Sequence, residues 1–348
     1  MPEGATLFEA ACRGRRGDRA PVWIMRQAGR YLPEYRKLRE TVDFLTATKT
    51  PELAARITLQ PMERFPLDAA ILFSDIMTPL EGMGVALDFA PGPVLEEPIR
   101  TAAQADALRE MDPDESTPFV LEALKLVRAD LRPDAALIGF AGAPFTLFCY
   151  LVQGGGSKDF MEARAFLRSE PEAASGLLGR LGRSMGRYLV AQAEAGADAL
   201  MLFDSWVGLL SPSSFQHFVL PVLKETVASI RSRVDRPIIY FANGGTQLLP
   251  WLHEVGADVL GVDWAVPMSR AVEELGAHTV VQGNLDPAAL FAPRRELGTA
   301  IDAVLREGAG ARAHIFNLGH GIHHATDPDQ VAYLVDRVHE TSSRLSAA

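Results

Sequence analysis

Eight short, almost uninterrupted apolar runs recur along the chain, and this rhythm restricts the possible folds more than any other feature. They are "PVWIM" (21–25), "AAILF" (69–73), "ALIGFA" (136–141), "DALMLF" (198–203), "PIIYFA" (237–242), "ADVLGV" (257–262), "HTVVQG" (278–283) and "AHIFNLG" (313–319). Continuous rather than alternating apolarity marks strands covered on both faces, as in parallel sheets flanked by helices. Helical patterns lie between the runs. In "TKTPELAARITL", Thr50 and Pro51 suit an N-cap and a first turn, after which Leu53 and Ile57 share a face. "GRLGRSMGRYLVAQAEAGAD" reaches Gly196 where a helix C-cap is expected. The starts of "PIIYFA", "ADVLGV" and "HTVVQG" are 20 and 21 residues apart, room for a strand, a helix and two short loops.

Eight strands alternating with helices predict an α/β fold, a (β/α)8 TIM barrel forming a single domain over residues 1–348. It would carry an N-terminal extension and a long 76–135 insertion between the second and third strands. Within that insertion, "LDFAPGPVLEEPI" reads as a Pro/Gly turn between two short extended pieces, an excursion over the barrel mouth. A doubly wound open sheet is the alternative, but no G-x-G-x-x-G opens a first unit.

Composition narrows the partners. With 48% hydrophobic and 22% charged residues, 348 residues can bury a sizeable core. A formal net charge of −10 argues against nucleic acid, so any anion site must concentrate positive charge locally. Two cysteines, Cys12 and Cys149, exclude a disulfide framework and a multi-cysteine metal site, and fit a reducing compartment. The N-terminal stretch lacks an apolar core flanked by a cleavage site, so no signal peptide is expected. Residues 135–157 carry no charge, a length that could span a bilayer, but Gly139, Gly142, Pro144 and Gly154–Gly156 break it into a buried strand, a turn and a helix. No membrane span is expected.

In such barrels chemistry lies at the C-terminal ends of the strands. The residues just past the runs are Arg26 with Arg30, Ser74 with Asp75, Gly142 to Tyr150, Asp204 with Ser205, Asn243, Asp263 with Trp264, Asn284 with Asp286, and His320. The arginines of "VWIMRQAGRYLPEYR" are the sharpest signal, because forked guanidinium donors suit carboxylate or phosphate. They either grip an anionic ligand or pair internally with Asp75, Asp204 or Glu34. Asp75 could be a base, a metal ligand, an acceptor of N–H groups, or simply the cap of the next turn. Tyr150 on an apolar helix face could be core, with its hydroxyl satisfied. The triple glycine lacks the G-x-x-x-x-G-K-[ST] pattern, and Ser205 in "FDSWVG" lacks a G-x-S-x-G elbow. "HGIHH" gathers His320, His323 and His324, but without a further ligand pattern His320 is read as a ligand contact and no metal is expected.

Taken together, "PVWIMRQAGRYLPEYR", "DAAILFSDIMTPLEGMG", "GAPFTLFCYLVQGGGSKDF", "FDSWVG", "VQGNLDP" and "FNLGHGI" resemble the uroporphyrinogen decarboxylase family, from about Pro21 to Val331. The resemblance implies a barrel that acts as a cytoplasmic homodimer. It also implies removal, without cofactor or metal, of the four acetate carboxyls of uroporphyrinogen III to give coproporphyrinogen III. Carried onto this chain, substrate contacts fall on Arg26, Gln27, Ala28, Gly29, Arg30, Asp75, Tyr150, Ser205 and His320, with Asp75, Arg30, Tyr150 and His320 as catalytic candidates. "FDSWVG" after its serine and "HH" after "HGI" vary from the family pattern without touching these positions. Two rivals differ in kind. A related barrel that moves methyl groups through zinc would need a His and Cys cluster, and a tetrapyrrole carrier would bind without releasing CO₂.

Overall fold

The structure, a computed structural model, describes residues 5–89 and 92–347. Seven strands form one parallel sheet: β1 (Ala69–Ile71), β4 (Ala136–Gly142), β5 (Ala199–Asp204), β6 (Ile238–Ala242), β7 (Val259–Val262), β8 (Val280–Leu285) and β9 (Ala313–Leu318), in that spatial order. A separate antiparallel pair joins β2 (Leu87–Phe89) to β3 (Pro93–Leu95). Helices 118–130, 144–153, 171–194, 220–231, 268–275, 294–308 and 328–347 lie between and after the sheet strands. Nearly every residue of the sheet is buried, because helices cover the side that does not face the interior.

Seven of the eight apolar runs are thus strands, and the fold is α/β with a curled parallel sheet. "PVWIM" departs from expectation. It joins β9 by a single bridge, Val22 to Phe316. The physical reason is that its backbone donors are met by side chains instead of a ladder. Val22 N–H donates to Asp68 Oδ2 (2.8 Å), Ile24 N–H to Gln27 Oε1 (3.0 Å) and Met25 N–H to Asn317 Oδ1 (2.9 Å). On one edge Phe316 N–H reaches Pro21 O (2.9 Å), and on the other Asp68 N–H reaches Val22 O (2.8 Å). The segment therefore lies between β9 and the residue preceding β1.

Asp68, only 3% exposed, anchors this arrangement. Besides Val22 it accepts a forked pair from Arg19 (2.8 and 2.6 Å) and a bond from His339 Nε2 (3.2 Å) on the C-terminal helix. One carboxylate so ties the N-terminal segment, the start of β1 and the last helix together.

The charge-free stretch 135–157 is strand β4 followed by helix 144–153, and no helix among the described residues is long and apolar enough to cross a membrane. The triple glycine has a structural use. Gly154 ends helix 144–153 at φ 90°, its N–H on Tyr150 O (2.8 Å), and a Cβ there would meet Pro98 at 2.5 Å. Leu95 N–H donates to Gly154 O (3.0 Å), and Val94 bridges to Gly155, so the β2–β3 pair sits against the end of that helix. The two extended pieces expected in the insertion are present; Ala90 and Pro91 of their turn lie outside the described residues.

Candidate active site

Arg26 follows Met25 directly and takes a left-handed backbone, φ 65°, uncommon for a side chain of its size. It lies against the loop after β9: a Cβ on Gly321 would stand 2.4 Å from Arg26 Cδ, and Ile322 N–H holds Met25 O (2.9 Å). Arg26 and Arg30 are both exposed, and neither guanidinium makes an ion pair or hydrogen bond among the described residues. The acids that might have neutralised them are engaged elsewhere. Glu34 pairs with Arg64 (3.4 Å), and Asp204 is bonded to Thr146 and Tyr240. Between the arginines, the backbone N–H groups of Ala28, Gly29 and Arg30 donate to no acceptor among the described residues. Two guanidiniums around a turn of free N–H groups form a surface that an anionic group can fill.

Asp75 stands just past β1, partly buried. Its Oδ1 accepts Met77 N–H at 2.8 Å, so the capping interpretation is correct as far as it goes; Oδ2 accepts nothing among the described residues. Burial pushes its carboxyl above the usual carboxylate range, against the pull of the Met77 bond and the Arg26 charge. It is not locked to either arginine.

Tyr150 comes from helix 144–153 and forms an aromatic wall with Phe160 and Trp206, at centroid distances of 5.6 Å and 6.2 Å, while Phe160 and Trp206 lie 4.6 Å apart. Burial raises its phenol, with the Trp206 indole N–H turned towards it but short of a full hydrogen bond. Ser205 is partly exposed; its carbonyl accepts Asn243 Nδ2 (3.0 Å) and its hydroxyl makes no bond among the described residues. His320 meets Trp264 edge to face at 5.7 Å. Burial first, and the Arg26 charge second, push its imidazole down to about 4, so it is neutral at pH 7. The Arg26 charge thus reaches Asp75, Tyr150 and His320, which links the turn after "PVWIM" to residues that follow β1, β4 and β9.

Gln27 differs from its neighbours. It is fully buried, with Oε1 on Ile24 N–H and Nε2 donating to Ala69 O (3.0 Å), so its amide shapes the turn instead of facing the mouth. Among apolar residues at or near the ends of the runs, Met25, Phe73 and Phe140 are buried and Phe203 is partly exposed. His323 and His324 are exposed, with rings 4.1 Å apart and His323 Nδ1 accepting Ala325 N–H (3.1 Å). Among the described residues no group of three or more His, Cys, Asp or Glu could hold a metal ion.

The sequence profile described as Uroporphyrinogen decarboxylase (URO-D) matches residues 4–341, almost the whole chain. The chain belongs to the uroporphyrinogen decarboxylase family. Among named uroporphyrinogen decarboxylases, that of Syntrophotalea carbinolica is 48% identical over 339 residues, 97% of this chain and 98% of its own length. That of Geobacter metallireducens is 46% identical over 337 residues, 97% and 99% of the two chains. Among solved structures, a methyltransferase from Methanosarcina mazei matches with a TM-score of 0.81 at 23% identity, covering 96% of this chain and 97% of its own, a likeness of fold. Of the positions that resemblance to uroporphyrinogen decarboxylases assigns to substrate, Asp75, Tyr150 and His320 lie within reach of the Arg26 charge, whereas the Gln27 amide and its backbone N–H are both engaged within the turn. Residue-by-residue reading missed the Phe160–Trp206 wall, because neither aromatic ends a strand. It also missed Asp68, which precedes a strand, on the end where barrels keep stability rather than chemistry.

Proposed function

We propose that this chain removes the four acetate carboxyls of uroporphyrinogen III, giving coproporphyrinogen III in tetrapyrrole biosynthesis. Family membership over nearly the whole chain carries the activity. The observation that supports the site is an unpaired Asp75 oxygen within reach of the unpaired Arg26 charge, with unpaired Arg30 on the same turn as Arg26. A porphyrinogen is a flexible ring with eight carboxylates outside and four pyrrole N–H groups converging at its centre. Arg26, Arg30 and the free N–H groups of residues 28–30 hold carboxylates that are not reacting, which fixes the one that is. Asp75 accepts the central N–H groups.

Decarboxylation needs an electron sink. A proton added to the ring carbon next to the one bearing the acetate arm leaves the ring cationic, with positive charge on the arm-bearing carbon. The C–C bond to the carboxylate then breaks, its electron pair forms a ring–methylene double bond, and CO₂ departs. Protonation of the methylene and loss of the ring proton give the methyl group, with one proton consumed per CO₂. Asp75 stabilises the cation within a partly dry cleft, worth a few kcal/mol for one preorganised partner. Tyr150, with its raised phenol, and neutral His320 serve as hydrogen-bond donors to the substrate, alongside Ser205 and Arg30. The aromatic wall of Phe160 and Trp206 backs the tetrapyrrole face.

The same reading takes residues 1–348 as one domain, a barrel in which "PVWIM" fills the eighth strand position, with the 76–135 insertion at its mouth. It takes the working form as a cytoplasmic homodimer: both cysteines are free and buried, and Trp264 (46% exposed) and Phe291 (55% exposed) leave apolar surface open on loops after β7 and β8. Anaerobic incubation with reduced uroporphyrinogen III and a chelator tests the activity. Products with seven, six, five and four carboxyls are expected in sequence; binding without CO₂ release would instead mark a carrier.

A further inference from the structure

Strand β5 ends in Asp204, whose side chain is fully buried and faces no cation within ion-pair distance among the described residues. Both oxygens are held by hydroxyls. Thr146 Oγ1 donates to Oδ1 at 2.7 Å and the Tyr240 hydroxyl to Oδ2 at 2.8 Å. Thr146 stands one turn before Tyr150 on helix 144–153, so the bond fixes that helix against β5. With its own hydrogen directed at Asp204, the Thr146 oxygen accepts the Trp206 backbone N–H (3.3 Å). On the other side, Asn243 N–H holds Asp204 O (3.1 Å) and Asn243 Nδ2 holds Ser205 O (3.0 Å). The Ser205–Trp206 turn is therefore gripped from both flanks, and the Trp206 indole in turn packs on Tyr150 and Phe160.

A carboxylate kept from water and from any cation is costly, and burial raises its pKa to about 6. An apolar group of similar shape would fill the same space more cheaply. What the carboxylate adds is direction: two fixed acceptors that orient three elements at once. We propose that Asp204, acting through Thr146 and Tyr240, is a positioning residue for the decarboxylation, setting Tyr150, Ser205 and the Trp206 wall against the substrate. This rests on the function proposed above.

Thr146→Val keeps the shape and removes the hydroxyl; Thr146→Ser keeps the hydroxyl. With uroporphyrinogen as substrate, Thr146→Val is expected to lose roughly tenfold or more in kcat, as misplacement of reacting groups does, while Thr146→Ser recovers most of it. The emission of Trp206, assigned by difference with Trp206→Phe, should shift in Thr146→Val and not in Thr146→Ser. Tyr240→Phe, which leaves one Asp204 oxygen without its donor, provides the same readings if Thr146→Val does not fold. Thr146→Val or Tyr240→Phe with kcat, KM and Trp206 emission all within twofold of wild type, whatever its melting temperature, would reduce Asp204 to a packing role. Failure of the wild-type protein to release CO₂ would overturn the function and leave the emission test of the Asp204 contacts intact.

Discussion

Arg26 does two things with one charge: it offers a grip for carboxylates at the mouth, and it depresses the His320 imidazole across the loop after β9. These effects separate experimentally. In Arg26→Ala the imidazole should titrate higher than about 4, moving towards its ordinary 6.5 but stopping short of it, since burial is the larger cause and remains. An NMR titration of His320 reads this directly. KM for uroporphyrinogen should rise in the same variant, while the fold is retained because the guanidinium makes no ion pair or hydrogen bond among the described residues. An unchanged His320 titration would place Arg26 outside the cluster. Asp75 shows why residue types alone left its role open: the cap and the acceptor are the same carboxylate, one oxygen on Met77 N–H and the other available.

At the scale of elements, the seven sheet strands were legible because a strand covered on both faces must be apolar throughout, and the order of runs then forces their C-terminal residues to one end. That is how Asp75, Ser205 and His320 could be collected from the sequence, while Arg26 was reached from a run that is not one of these strands. "PVWIM" misled for a reason no local pattern carries. Its donors are satisfied by Asp68, 46 residues away, and by Asn317, 292 residues away, and pairing over such distances leaves no periodic trace. The Gln27 amide, which looked like a mouth residue, proves to be part of the same scaffold. Gln27→Leu would leave Ile24 N–H and Ala69 O unmatched in a buried place. A loss of about 2–6 kcal/mol in unfolding free energy is expected in chemical denaturation, at about 1–3 kcal/mol for each of the two buried groups. Wild-type stability in that variant would mean that the turn is held by other contacts.

Across the whole molecule, two buried groups tie stability to pH with opposite signs. His314, on β9 with Nε2 against Gly283 O (2.8 Å), is driven by burial to about 4 from 6.5. Its folded pKa lies below its unfolded one, so its contribution is complete above pH 6.5 and is lost as pH falls towards 4. From pH 7 to pH 5 that loss comes to about 2 kcal/mol. Asp204, raised from 3.8 to about 6, gains relative to the unfolded chain over the same fall. His314→Gln can still donate to Gly283 O and removes the first effect alone. Its stability deficit against wild type should therefore shrink by about 2 kcal/mol between pH 7 and pH 5, measured by denaturant titration at each pH; a constant deficit would show that His314 titrates alike in the folded and unfolded chain. The catalytic account is likewise a property of the whole assembly, since the turn after "PVWIM" must present its arginines to groups that follow separate strands, one of them a free carboxylate. Its most direct test is the anaerobic turnover of reduced uroporphyrinogen III by Asp75→Asn, a substitution that keeps the shape and removes the charge. The account predicts a folded protein whose CO₂ release falls by roughly 100-fold or more; release at a rate near wild type would contradict it.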